Sequence, residues 1–565
     1  MTDSRAARDL AWLLLGLIVL VASGIGLRDP WPADEPRFAL IARDMVLSGD
    51  WLFPQVGGDL YPDKPPVYFW LLACCYLLFG TVRAAFLLPS LAAACGITWL
   101  IYDLSARLFG RAAALCAALT LMCSLQFLLV TRGAQIDATL CLLTTLSLYG
   151  LLRHLLLGPR WGWYFLGAAA SGLGVVTKGV GFLPLLVLLP YLLGRKVAAQ
   201  GLPVFSGGWR WLLAIPGFLL GASIWLVPML TAVALHPSPG RLAYRNEILF
   251  HQTVDRYSAA WHHIEPWYYF LLNVIPGLWL PLSALFVWLA PRWFRDLRGR
   301  EARELLLLGW VGLVLLFFSI SAGKRGIYIF PALPAMVLAA APHLPALYGL
   351  RSVQRTGLAL AALVVLAAAG LCGAILVHAQ GLAELRAELP DDIGVRLGVF
   401  VVAGLATWVY AFKRHPILAW PLTVGALAIV WSFLITPKMD SIRSGRGFMG
   451  RVESQVTPGA ELGLLAYKEQ FLLQSHRHTF NFGHARWREQ ASEIDDAARW
   501  LNGGARQLLV PESLLAPCFQ DAPRQFLGAA SGGEWWLVSP PALAGCAARG
   551  DPRHVFDYQL SSVRP

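Results

Sequence analysis

The sequence predicts an all-α polytopic membrane protein of about 13 transmembrane helices, followed by a small C-terminal α/β soluble domain. Three observations carry that prediction. Of 565 residues, 57% are hydrophobic and 14% are charged, against roughly 25% charged in soluble domains. Apolar stretches of about 20 residues, enough to cross about 30 Å of hydrocarbon, repeat from Leu10 nearly to Ile435. From Thr436 to Pro565 the apolar runs shrink to strand length. The domains expected are therefore a membrane domain over 1–436, with a first outer loop at 28–66, and a C-terminal domain over 437–565.

The first element is Leu10 to Leu27, preceded by Arg5 and Arg8. It is long for a signal peptide and no small-x-small cleavage site follows, so it reads as an uncleaved span. Further spans are expected near 84–103, 111–130, 136–156, 161–177, 179–194, 211–231, 267–290, 304–320, 327–348, 356–378, 393–412 and 416–436. The stretch Pro65 to Gly80 (PPVYFWLLACCYLLFG) is apolar but too short to cross, and reads as interfacial or re-entrant.

That short stretch decides orientation. If it does not cross, the loops carrying Arg107/Arg111, Arg153/Arg160, Arg195/Lys196/Arg210, Arg292 to Arg303, Arg351/Arg355 and Lys413/Arg414 all share the side of Arg5 and Arg8. The positive-inside rule is then satisfied. The acidic loop Glu384, Glu388, Asp391, Asp392 and the tail fall on the other side. The expectation is an inner-membrane protein with a cytoplasmic N-terminus and with its first loop and tail on the non-cytoplasmic side.

The net charge of +12 does not indicate nucleic acid, because the basic residues sit in short clusters between spans instead of one stripe. Several cations nonetheless remain on the outer side: Arg37, Lys64, Arg132, Lys178, Arg241, Arg245, Arg256, Lys324 and Arg325. Together they read as a site for an anion such as a lipid phosphate, or as loop charges against headgroups. Cys74, Cys75, Cys95, Cys116, Cys123, Cys141 and Cys372 lie in or beside apolar segments and read as packing. Cys518 and Cys546 stand apart in the tail, where they pair if it faces an oxidising compartment and are free thiols otherwise.

The first loop reads WPADEPRFALIARDMVLSGDWLFPQVGGDLYPDKPPVYFWL, and a loop of that length in a compact protein is usually functional. Phe38, Ile41, Met45 and Val46 recur at helical spacing behind Pro36, predicting a short amphipathic helix at the interface. Asp34 and Glu35 fall at its N-terminal edge, where Asp34 is either a cap or a reactive carboxylate. Tyr61, Asp63 and Lys64 share the loop, so a general base and a phosphate-binding cation could meet there. No His/Cys/carboxylate cluster shows ligand spacing, so a metal is unassigned. No cofactor is required by this reading, and divalent metal dependence stays open.

The motifs Asp34-Glu35-Pro36-Arg37-Phe38, Ser48-Gly49-Asp50-Trp51, Tyr61-Pro62-Asp63-Lys64-Pro65-Pro66 and Trp70-Leu71 resemble the first outer loop of bacterial glycosyltransferases with the GT-C fold. Those are the lipid A 4-amino-4-deoxyarabinose transferases and the wider set related to protein O-mannosyltransferases. Thr177-Lys178-Gly179, His251 to Tyr257 (HQTVDRY), His263 to Phe270 (HIEPWYYF) and Lys324 to Pro331 (KRGIYIFP) follow in the expected order. Pro36 stands where the aminoarabinose transferases tend to have Thr, and Asp63-Lys64-Pro65-Pro66 replaces a Glu-Lys-Pro pattern, which leaves the sugar open.

The resemblance implies an inverting transfer of a sugar from a polyprenyl (undecaprenyl) phosphate donor to an envelope acceptor such as lipid A. The sugar would be 4-amino-4-deoxy-L-arabinose, or a hexose such as mannose passed to protein or another glycolipid. It implies Asp34 as general base for a hydroxyl acceptor, or as an orienting group for a phosphate acceptor. Lys64 and Arg256 would hold the leaving phosphate, Lys178, Tyr61 and Tyr328 the phosphate or sugar, and Arg37 would orient Asp34. Glu35, Asp63, His251 and Lys324 are further candidates, while His262 and His263 read as interfacial.

A lipid-linked sugar transporter or flippase is the main alternative, although neither internal repeats nor midplane charge pairs are evident. A non-catalytic assembly factor would not require Asp34, Lys64 and Arg256 together. In the tail, Leu462 to Tyr467, Gln507 to Val510 and Trp535 to Val538 read as strands, and Ser492 to Leu501 as a helix. His476, Arg477, His478 and His484 read as surface residues.

Overall fold

The computed structural model of the protein describes residues 4–249, 264–377, 389–390, 392–483, 493–516, 518–543 and 555–558. Two compact units emerge. One is made of Met1–Ser23, Leu87–Arg386 and Asp391–Phe433, and the other of Gly24–Phe86, Ala387–Pro390 and Leu434–Pro565. The first loop thus groups with the tail, although the sequence pattern assigns it to the membrane domain.

Among the described residues of the chain, seven helices are long and apolar enough to cross a membrane, or up to nine if each of two bent pairs makes one crossing. The pairs are Arg111–Met122 with Leu125–Thr131, bent by 61°, and Phe270–Leu278 with Ser283–Arg298, bent by 106°. The count is below the thirteen expected, and the difference lies in four segments that are helical but charged at one end, short or broken. The first span is α1 (Ser4–Ala22), whose N-terminal turns carry Arg5, Arg8 and Asp9. Trp161–Lys178 is Gly-rich and ends at Lys178. The 179–194 stretch is a 3-10 segment Val180–Val187, containing Pro184, that passes into Leu188–Lys196. The 327–348 stretch divides into Gly326–Ile329, Ala332–Ala340 and Leu344–Tyr348. Proline and glycine explain such breaks, since one lacks an N–H and the other lacks side-chain restraint.

Ile136–Leu157 is the most enclosed helix of the membrane unit, with nearly every side chain buried. Trp161–Lys178 packs against it on one side and against Ala214–Leu235 on the other. The approach is backbone to backbone. A Cβ on Gly172 would stand 2.0 Å from the carbonyl oxygen of Phe218, and one on Gly221 would stand 2.0 Å from that of Ala169. Small residues are what let helices meet this closely where lipid offers no hydrophobic drive for association. At one end of Ile136–Leu157 a polar chain runs through the packing: Arg107 Nη2 donates to Asp103 at 3.0 Å, Tyr149 Oη to Asp103 at 2.6 Å, and Arg153 Nη1 to Tyr149 at 2.8 Å.

In the second unit the first loop forms α2 (Glu35–Ser48), the hairpin β1 (Gln55–Val56) and β2 (Asp59–Leu60), and α3 (Val67–Phe79). At 13 residues and about 1.5 Å per residue, α3 is too short to cross a bilayer. The tail builds β3 (Glu461–Leu464), β4 (Thr479–Asn481), β5 (Arg506–Pro511), β6 (Arg524–Ala530), β7 (Gly533–Val538) and β8 (Phe556–Tyr558) into one sheet of order β6-β7-β5-β3-β4-β8. Its parallel centre, β4-β3-β5, is flanked by antiparallel strands. Helix Glu493–Leu501 covers it, with Ala497, Ala498 and Trp500 against Leu508, Val510 and Phe519. The expected α/β tail is present, and Cys518 is disulfide-bonded; Cys546 and His484 lie outside the described residues.

α2 is the helix expected behind Pro36, but its burial is not confined to the apolar face. Its apolar residues Phe38, Ile41 and Met45 are buried, and so are Arg43 and Asp44 on another face, because the tail covers that face. Arg43 Nε donates to Tyr558 Oη at 3.1 Å, and its Nη atoms donate to the carbonyls of Leu473 and Leu472. Asp44 accepts from Tyr558 Oη at 2.5 Å and from the Gly57 N–H at 2.8 Å. Gly57 and Gly58 have positive φ, as a two-residue hairpin turn demands, and a Cβ on Gly57 would meet Leu472 at 2.8 Å.

Burial raises the Asp44 pKa to about 6 despite those hydrogen bonds. The folded unit therefore holds a proton that the unfolded chain releases near pH 4. Its stability is expected to fall between about pH 4 and pH 6, by an amount on the order of 3 kcal/mol, and to be flat for this group above that range. Thermal melts of wild type and Asp44→Asn across pH 4 to 7 check this. The difference between the two should change through that window and stay constant beyond it.

Candidate active site

In the loop-and-tail unit, Glu35 and Asp34 have separate fates although they are neighbours. Glu35 is buried and gripped by Arg28, whose Nη2 donates to Oε1 at 2.8 Å and whose Nη1 bonds Oε2. The Trp31 N–H donates to the same carboxylate at 2.8 Å. The segment before α2 is pinned further by Asp440, which accepts from the Asp29 N–H at 2.7 Å and from Trp31 Nε1 at 3.0 Å. Arg28 lies 4.8 Å from the Trp31 ring centroid and 4.9 Å from that of Phe86. Glu35 thus holds the loop's shape, and its carboxylate is committed to that task.

Asp34 occupies the N-cap position of α2, but its side chain makes no cap hydrogen bond. An Asp at this position ordinarily satisfies a free helix N–H, so the carboxylate here is left for another use. Its Oδ1 is 4.0 Å from Arg37 Nη1, and both side chains are half-buried. Arg37 is held from its other side, with Nε donating to Glu469 Oε1 at 2.6 Å. Arg37 also hydrogen-bonds Tyr61, and Glu469 and Tyr61 together hold the guanidinium well above its ordinary range against the opposing effect of burial.

Tyr61 is buried, edge-on to Phe69 with ring centroids 6.3 Å apart. Burial first, then the negative charges of Asp63 and Asp34, push its phenol up, while Arg37 works the other way. Asp34, Arg37, Tyr61, Asp63 and Glu469 therefore form one electrostatic group. Lys64 is half-buried, and its Nζ donates to the Asp63 carbonyl at 3.0 Å.

The membrane unit carries a second constellation. Lys178, at the C-terminal end of its helix, donates to Asp137 Oδ1 at 2.5 Å and lies 5.4 Å from the Tyr328 ring centroid. Asp137 is in the first turn of Ile136–Leu157, where the helix dipole favours a negative charge. Tyr328 also packs on Phe318, with centroids 5.6 Å apart, so it is a packed partner of a cation as well as an aromatic at a helix end. Its buried neighbour Lys324 donates to the carbonyls of Glu265 at 2.7 Å and Ser321 at 2.6 Å. That makes Lys324 a loop clamp.

Arg132, one of the outer cations expected to face an anion, spends its donors on the ends of two helices instead: Ser23 Oγ at 3.0 Å, the Ala428 carbonyl at 3.2 Å, the Leu20 carbonyl and Ser432. His251, Arg256, His262 and His263 lie outside the described residues. The residues missed by sequence reading are Asp137, Arg28 and Glu469. Asp137 had a signal, since a carboxylate inside an apolar span is functional by default.

A family model for dolichyl-phosphate-mannose-protein mannosyltransferases matches residues 63–225. The undecaprenyl phosphate-α-4-amino-4-deoxy-L-arabinose arabinosyl transferase of Pseudomonas aeruginosa strain UCBPP-PA14 is 31% identical over 438 residues, covering 73% of this chain and 73% of that relative. The crystal structure of ArnT from Cupriavidus metallidurans bound to undecaprenyl phosphate superposes with a TM-score of 0.71 at 20% identity, over 97% of this chain and 100% of that one. The same protein in its apo state gives 0.72 at 19%, with the same coverage. Those likenesses establish the GT-C fold, and the sequence identity establishes more: the chain belongs to the family of undecaprenyl phosphate-α-4-amino-4-deoxy-L-arabinose arabinosyl transferases.

Proposed function

We propose that this protein is an inverting glycosyltransferase that moves 4-amino-4-deoxy-L-arabinose from undecaprenyl phosphate to an envelope glycolipid such as lipid A. The observation that carries the activity is the 31% identity over nearly three quarters of both chains. The departures at Pro36 and at Asp63-Lys64-Pro65-Pro66 do not take the chain out of that family.

In the reaction the acceptor oxygen attacks the anomeric carbon, the bond from that carbon to the phosphate oxygen breaks, and undecaprenyl phosphate leaves with the electron pair. Asp34 takes the proton when the acceptor is a hydroxyl. When the acceptor is an ionised phosphate no proton moves, and Asp34 orients the sugar or stabilises oxocarbenium-like charge. The uncommitted cap carboxylate beside Arg37 supports either role. Lys64 and Arg256 neutralise the charge growing on the leaving phosphate, and Lys178 with Tyr328 binds the donor. Asp137 holds Lys178 in position, and Arg37 with Tyr61 orients Asp34.

The site and tail face the periplasm and the N-terminus faces the cytoplasm of a bacterial inner membrane. Positive charge on the short loops of one side supports this, as does the shortness of α3. Purified protein in lipid nanodiscs, given undecaprenyl-phosphate aminoarabinose and lipid A, is expected to form a product heavier by one aminoarabinose residue, read by mass spectrometry. Lys64→Ala should slow it by about 10²–10³-fold. No product from wild type would overturn the activity, and full turnover by Lys64→Ala would overturn the role of Lys64.

A further inference from the structure

Asp296, Glu304 and His343 come together inside the membrane unit, and none of them is assigned to transfer. Asp296 is on the helix Phe286–Arg298, Glu304 is in the first turn of Ala302–Ile320, and His343 directly precedes Leu344–Tyr348. One ligand atom from each lies within 4.8 Å of the others. Two donors about 2.1 Å from a shared ion stand roughly 3.4 Å apart at a tetrahedral angle, so small side-chain rotations bring all three onto one point.

Two further observations point to a cation at that point. Glu304 is only 4% exposed, and among the described residues its carboxylate accepts a hydrogen bond from nothing but its own backbone N–H. A buried carboxylate without a donor from another residue is costly unless it takes up a proton or meets a cation. His343 Nε2 is 2.9 Å from Asp296 Oδ2, an ion-pair distance, yet outside the alignment of a hydrogen bond.

Arg303 lies near enough to act on Glu304, and Arg292 and Arg295 near enough to act on His343, but among the described residues none of them hydrogen-bonds the three side chains. Arg292 donates to the Trp288 carbonyl and Arg300 to the Val197 carbonyl, while Arg298 lies over Phe294 and Arg303 over Phe109. Once deprotonated to bind a metal, two carboxylates and one neutral imidazole carry a net charge of −2, which a divalent ion neutralises. Asp296 and His343 are partly exposed, so an ion has a route in.

We propose that Asp296, Glu304 and His343 form a binding site for a first-row divalent cation such as Zn2+, which clamps together three helical segments. The mixed nitrogen and oxygen donors suit zinc or its neighbours better than magnesium or calcium. This site is independent of the transfer reaction and of the residues assigned to it.

The test is titration of Zn2+ into the full-length protein in nanodiscs after removal of metal with a chelator. Wild type should bind one zinc saturably and melt at a higher temperature with zinc present. His343→Ala and Glu304→Gln should each weaken binding at least tenfold and lose the zinc-dependent rise in Tm. Asp296→Asn, close to isosteric, should melt like metal-free wild type while also losing the rise, which separates loss of the ion from misfolding. Equal zinc affinity and equal stabilisation in wild type and all three variants would overturn the proposal, as would the lack of saturable binding in wild type.

Discussion

Replacing Asp34 by asparagine is expected to lower kcat by about 10²–10⁴-fold with a hydroxyl acceptor while leaving the KM for the lipid-linked donor within a few-fold of wild type. The substitution keeps the size of the side chain. It removes no cap, because the Asp34 carboxylate makes no capping hydrogen bond at the start of α2. The thermal melt should therefore be unchanged, and the loss can be read as chemistry. The acceptor decides the rest. With an ionised phosphate acceptor there is no proton to take, so the fall should be smaller. A variant within threefold of wild type on both acceptor types would remove Asp34 from the reaction.

The largest structural effect is expected at the next residue. Arg28→Ala leaves the buried Glu35 carboxylate with the Trp31 N–H but without its bidentate partner, and breaking a buried pair from one side costs about 3–5 kcal/mol. The double variant Arg28→Ala with Glu35→Ala should recover a good part of that, since no buried charge is then stranded. Unfolding of the two single variants and the double variant, followed by temperature, gives the coupling directly. Strict additivity of the two single effects would show that the pair is not what holds this turn.

The contrast between these neighbours shows where sequence reading succeeded and where it stopped. Spans were legible because an apolar run of about 20 residues is a local signal, and the strands at Glu461–Leu464, Arg506–Pro511 and Gly533–Val538 were legible for the same reason. β4 and β8 have three residues each and β6 has exposed Arg524 and Gln525 at its start, so none of them announces itself by pattern. Asp34, Lys64, Lys178 and Tyr328 were picked out by motif and loop position. Arg37 was picked out with Asp34, but Glu469 and Asp137 were not, because pairing is a fact of tertiary structure: Arg37 meets Glu469 across 432 residues of chain, and Lys178 meets Asp137 across 41. The Asp296, Glu304 and His343 group has no motif spacing for the same reason.

The bond between Asp44 and Tyr558 sets an order on the making of this protein. The two residues are 514 positions apart, and at about 5–20 residues per second a ribosome needs roughly half a minute to two minutes to travel between them. Throughout that interval the segment carrying Asp34 has been synthesised, but the strand that completes its surroundings has not. A nascent chain stalled or cleaved before Tyr558 would own every residue assigned to transfer and still lack one of the buried hydrogen-bond partners of α2. β8 thus brings a late-made contact to a segment made early.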